Sequence, residues 1–83
     1  MTKQEVLAIF SQASGYLKPD QVRARLTPQP DRRSVYSYLI RLYRQGLLER
    51  DPNSRRRGLL AYRITRRGQD RLQYFRNKRG SQT

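Results

Sequence analysis

The sequence predicts a mainly α domain with a small β-hairpin, in the element order α-β-α-α-β-β-α. Three observations carry this expectation. Over residues 31–46, DRRSVYSYLIRLYRQG, apolar side chains recur at three- and four-residue spacing, the period of a half-buried helix. Around residues 59–65 they alternate instead, and glycine and proline punctuate the boundaries between such stretches. With 83 residues the chain has room for one domain, which we assign to residues 1–76; the polar residues 77–83 have nothing to bury and are expected to form a disordered tail.

Taken in order, Thr2-Lys3-Gln4-Glu5 has the spacing of a capping box and starts a first helix. Val6, Ile9, Phe10 and Ala13 form its inward stripe, which ends near Gly15. Tyr16 and Leu17 read as a short extended connector. Pro19 suits the first position of a second helix over residues 19–26, with Val22 and Leu26 inward and Arg23 and Arg25 outward. Thr27-Pro28-Gln29-Pro30 must break it, because two prolines remove amides and push the residues before them out of helical geometry.

The central helix follows, with Asp31 as its N-cap and Gly46 just past its end. On a helical projection Val35, Tyr36, Leu39, Ile40, Leu42 and Tyr43 share a broad apolar face. Arg33, Ser34, Ser37, Tyr38, Arg41 and Arg44 lie opposite, without an acid among them. Arginine, serine and tyrosine suit phosphate and base-edge contacts rather than catalysis. Residues 47–51 and 59–65 then read as two strands, Leu60, Tyr62 and Ile64 alternating with Ala61 and Arg63. Their connecting loop, residues 52–58, carries Arg55, Arg56 and Arg57 at its tip. Thr65 can cap a last helix that turns Leu72 and Phe75 inward.

Composition narrows the function. The chain has no cysteine and no histidine, which removes disulfides, thiolate nucleophiles, the commonest metal ligand and the commonest general base. No enzyme, metal or other cofactor is expected. No apolar run is long enough for a signal or a transmembrane span, so the expectation is a cytoplasmic protein with no membrane partner and no evident small-molecule ligand. The net charge of +13 is uneven: residues 1–31 hold four basic and three acidic side chains, and the other fifteen basic and three acidic ones follow. Sixteen of the nineteen basic residues are arginine, whose planar fork suits phosphate and guanine, so a polyanionic partner is favoured.

Helix, short strand, helix, turn, helix and a basic-tipped hairpin is the order of a winged helix-turn-helix. Tyr36-x-x-Leu39-x-x-Leu42-x-x-x-Gly46-Leu47, followed by Tyr62-Arg63-Ile64-Thr65-x-x-Gly68, resembles the PadR-like winged-helix transcription regulators, and more loosely the MarR-like ones. The resemblance covers residues 4–76. It implies a sequence-specific regulator of prokaryotic or phage type, nucleoid-associated, that binds double-stranded DNA. It also implies that the recognition helix, residues 31–46, lies in the major groove with Arg32, Arg33, Ser34, Ser37, Tyr38 and Arg41 nearest the DNA. The wing, residues 52–58, would bring Arg55, Arg56 and Arg57 to the backbone or the minor groove.

An alternative stays open at this point: an RNA-binding or ribosome-associated winged-helix protein, since small size and high basicity suit that class too. Tyr36, Tyr43 and Tyr62 stand at apolar-periodic positions and are expected in the core or at its boundary. A homodimer is also expected, built from the first and last helices through Ile9, Leu72, Tyr74 and Phe75, since regulators commonly match two-fold sites with two-fold symmetry.

Overall fold

The computed structural model describes residues 1–53 and 60–80, the last two by their backbone alone. Among these residues the chain is mainly helical with a small two-stranded antiparallel sheet: α1 (Lys3–Gln12), α2 (Pro19–Ala24), α3 (Arg32–Arg44), β1 (Leu48–Arg50), β2 (Tyr62–Ile64) and α4 (Arg66–Gly80). No helix among them is long and apolar enough to cross a membrane.

The helix ends follow from local chemistry. Thr2 caps α1 by accepting from the Glu5 amide at 3.2 Å, and its hydroxyl donates to the Glu5 carboxylate at 3.1 Å, so Glu5 reaches the cap side chain rather than the cap amide. Pro19 opens α2, whose first turn is closed by the Gln21 side chain accepting from the Lys18 amide at 2.8 Å. The helix ends at Ala24, short of the expected residue 26, and Leu26 still reaches the core from the turn that follows. Gly46 takes φ +79° past the end of α3. There the Leu47 amide returns to the Leu42 carbonyl and the Gly46 amide to the Tyr43 carbonyl, both at 3.0 Å, which is the Schellman closure.

The sheet pairs Leu48 with Ile64, Glu49 with Arg63 and Arg50 with Tyr62. The expected connector is there too: Leu17 and Tyr62 exchange amide–carbonyl bonds of 2.7 and 2.8 Å, which attaches the segment before α2 to the far edge of β2. Thr65 joins three elements. Its amide donates to the Leu47 carbonyl, its hydroxyl donates to the Gly46 carbonyl at 2.7 Å, and the same hydroxyl accepts from the Gly68 amide at the start of α4. α4 then continues to Gly80, past residue 76, so residues 77–80 are helical where the sequence suggested a frayed tail.

One core unites these elements. Val6, Leu7 and Phe10 of α1 meet Leu17, Val22 and Leu26, then Val35, Leu39 and Leu42 of α3, with Leu47, Leu48, Tyr62 and Leu72 closing the cluster. Burying a leucine this fully contributes about 1.5–3 kcal/mol, so the α3 residues anchor the domain. Leu7 is buried although the stripe read from sequence passed it over, and Ala61 is buried although the alternation placed it outward. Leu72 is buried in this core, as its inward placement predicts, so it is not open to the dimer surface for which it was also named; Tyr74 is exposed, with half-buried Phe75 edge-on at 5.9 Å.

Candidate nucleic-acid interface

α3 is held with one face in and one face out. Arg23 of α2 donates from Nε to the Pro30 carbonyl at 2.7 Å, fixing the turn between α2 and α3; it is a brace and not the outward side chain expected. Asp31 then caps α3, its carboxylate accepting from both the amide and the hydroxyl of Ser34. That hydroxyl, followed by the amide, draws the Asp31 pKa below its ordinary value, with Arg33 adding a smaller pull.

The expected DNA-facing residues of α3 divide on inspection. Arg33, Ser37 and Arg41 are exposed and share the outward side of the helix with Arg44. Arg32 is exposed but pairs with Asp20 of α2 at 3.2 Å, an exposed ion pair of little energetic consequence that still turns its guanidinium toward α2. Ser34 is engaged in the Asp31 cap. Tyr38 is a correction: it is half-buried and packs on the core, and burial raises its phenol pKa, Glu5 adding to the rise and Arg41 opposing it. Its ring lies at the edge of the apolar seam, where an amphipathic side chain gains more by covering the core than by facing water.

At about 100° per residue Tyr38 stands roughly 60° from Val35 and Ile40 roughly 140°, so the helical period puts Tyr38 at the edge of the seam and Ile40 on the outward side, and both face assignments are corrected. Ile40, expected on the apolar face, instead lines a groove of about 400 Å³ with Ser37, Arg41, Arg44 and Gln45. Arg44, already on the polar face, lies at helical spacing from Ser37 and Arg41, and Ile40 projects within about 40° of Arg33 and Arg44, so the same spacing marks both as outward.

The other arginines near α3 are engaged. Arg50 holds its guanidinium 4.0 Å from the centre of the Tyr43 ring and 5.5 Å from that of Tyr62, and its Nε donates to the Tyr62 hydroxyl at 3.4 Å. Tyr43 and Tyr62 meet edge to face at 6.2 Å, so both serve the packing of α3 on the hairpin. Arg63 pairs with Glu49 directly across the sheet, which raises its already high pKa, and covers the Tyr16 ring at 4.9 Å. Arg33, Arg41 and Arg44, by contrast, make no salt bridge among the described residues. Arg55, Arg56 and Arg57 lie outside the described residues; the hairpin that leads to them is described as far as the Asp51 amide bonded to the Ala61 carbonyl at 2.9 Å and an Asx turn in which the Asn53 amide meets the Asp51 carboxylate.

What results is a rigid helix whose outward side offers three arginine forks, a small hydroxyl and one apolar side chain, with no carboxylate from Arg32 to Arg44. Such a surface can donate to phosphate oxygens and to guanine O6 and N7, and it can pack on an apolar group between them. Comparison with known protein families, with curated proteins and with solved structures returns no significant match.

Proposed function

We propose that this chain is a winged helix-turn-helix protein that binds double-stranded DNA with sequence preference and regulates transcription, as the resemblance to PadR-like regulators implies. In this reading α2, the turn braced by Arg23 and α3 form the helix-turn-helix, and α3 enters the major groove. Arg33, Arg41 and Arg44 pair with base edges or flanking phosphates, Ser37 lets the backbone approach, and Ile40 meets an apolar base edge. The segment between the strands adds Arg55, Arg56 and Arg57 as backbone contacts, and regulation at DNA puts the protein at the nucleoid. The observation that carries the reading is the contrast between two sets of arginines. Arg23, Arg32, Arg50 and Arg63 are engaged within the chain, whereas those on the outward side of α3 make no salt bridge among the described residues, on an element capped at both ends that carries no acid of its own.

Selection of binding sites from a random duplex pool, followed by isotherms at several salt concentrations, tests the proposal. Arg33→Ala or Arg41→Ala should cost roughly 1–3 kcal/mol on the selected site and much less on random duplex. Removing Arg55, Arg56 and Arg57 together should weaken both DNAs alike and flatten the log–log salt dependence by up to about 2–3 units, at roughly 0.9 per phosphate contact. A-form RNA duplex is the competitor that matters, because its deep, narrow major groove does not admit α3. Equal affinity for RNA and DNA duplexes, or no enriched motif, would refute sequence-dependent DNA binding.

A further inference from the structure

We infer a second anion site, built for a phosphate group, where the start of α1, the end of α3 and the first turns of α4 meet. Lys3, Gln45 and the α4 pair Arg67 and Arg71, from three separate parts of the sequence, line one pocket of about 270 Å³ with Leu47 as its apolar wall. No carboxylate lines it, and none of its three cations makes a salt bridge among the described residues. Asp70 lines a neighbouring groove together with Arg67, Arg71 and Tyr74 and makes a salt bridge with neither arginine.

Three converging like charges repel one another and need an explanation. The carbonyl end of α3 favours a cation, but it amounts to about half an elementary charge and does not offset three; the Leu42 and Tyr43 carbonyls there also accept from the amides of Leu47 and Gly46, and Gly46 accepts from the Thr65 hydroxyl. The Arg67 stem lies against Gly46, and the Arg71 guanidinium rests 5.8 Å from the centre of the Tyr74 ring, on the side of the neighbouring groove, a contact with the ring face that does not use its N–H donors. Two guanidinium forks, an ammonium and an amide around one small space match the several oxygens of a phosphate. No aromatic ring lines the pocket to hold a base, so recognition is of the phosphate itself. Gln45 also lines the groove on the outward side of α3, so the phosphate can belong to a small phosphorylated molecule or to a nucleic-acid backbone running past that helix.

The inference does not rest on α3 reading DNA, and the experiment keeps the two apart. In the 83-residue chain at constant ionic strength, titration with inorganic phosphate should shift the Nε–H resonances of Arg67 and Arg71 along one saturable curve while those of Arg25 and Arg76 stay put. Lys3→Gln and Arg71→Gln should each weaken that curve several-fold. Equal, unsaturated shifts at all four arginines would overturn the site. So would variants that melt earlier yet bind phosphate unchanged, since the cations would then only hold α1 against α4. Given a saturable curve, duplex DNA identifies the source. A fall of about 1–2 units in the salt slope of Arg67→Gln/Arg71→Gln assigns backbone phosphates, at roughly 0.9 per contact, whereas an unchanged slope assigns a small phosphorylated ligand. A chain that binds phosphate here and ignores DNA keeps this site and loses the proposed function.

Discussion

Gly68→Ala tests the packing that fixes α3 against the rest of the domain. In most helices this exchange stabilises, by up to about 1 kcal/mol. Here a Cβ at residue 68 would stand 2.2 Å from the Leu47 carbonyl oxygen and 2.7 Å from Ile64 Cγ1. Neither neighbour can swing aside easily. The Leu47 carbonyl is held by the Thr65 amide at 3.0 Å, and Ile64 is paired in β2. Restoring ordinary contact requires α4 and the exit of α3 to part by roughly 1 Å, which loosens both Thr65 bonds across that junction. Overpacking costs about 1–3 kcal/mol and each weakened hydrogen bond about 0.5–1.5, so the clash outweighs propensity and the net loss is about 2–4 kcal/mol. For a domain this small that lowers the melting temperature by roughly 10–30 °C. Urea and thermal unfolding followed by circular dichroism measure it. Gly15→Ala is the control: nothing lies within 4 Å of its Cβ position, so its effect should stay within about 0.5 kcal/mol. A Gly68→Ala protein as stable as the wild type would refute the close approach of α4 to Leu47.

Asp31 gives a pH signature. Its folded pKa lies below the ordinary 3.8, so the ionised carboxylate adds stability above that value and the contribution is lost as pH falls through the folded pKa. The stability gap between wild type and Asp31→Asn should therefore be constant near neutrality and close below about pH 4; a gap independent of pH down to 2 would show that the charge on the cap is immaterial. Ile40 gives a chemical signature. Where the selected DNA site puts a thymine against it, deoxyuridine removes one methyl and should weaken binding about fourfold, at about 0.8 kcal/mol for a buried group of that size. In Ile40→Ala the same base change should cost nothing, and a wild type indifferent to every thymine-to-deoxyuridine exchange would remove Ile40 from the reading surface.

What the sequence determined by itself is the chemistry that acts within a few residues. Thr2, Asp31 and Thr65 are caps wherever they stand before a helical period, Pro19 opens a helix, the prolines of the 27–30 turn end one, and Gly46 closes α3. These outcomes depend on amides and carbonyls at fixed offsets along the chain, so no distant partner can alter them. The polar side of α3, with Arg33, Ser37 and Arg41, was legible for the same reason, because a helical period separates two faces. Its edges were misassigned. Apolar character drew Ile40 inward and a hydroxyl drew Tyr38 outward, although at about 100° per residue Tyr38 stands nearer Val35 than Ile40 does. Packing on the core buries Tyr38 and leaves Ile40 outward. Packing also governs Arg32, whose guanidinium turns to Asp20 once α2 lies alongside, and Leu7, buried because α1 meets both the sheet side and α4. Lys3, Gln45 and the Arg67–Arg71 pair are the furthest case: the helical period puts the two arginines on one face of α4, but nothing in the sequence relates that face to Lys3 or Gln45, and only the meeting of α1, the α3 exit and α4 makes one pocket of them.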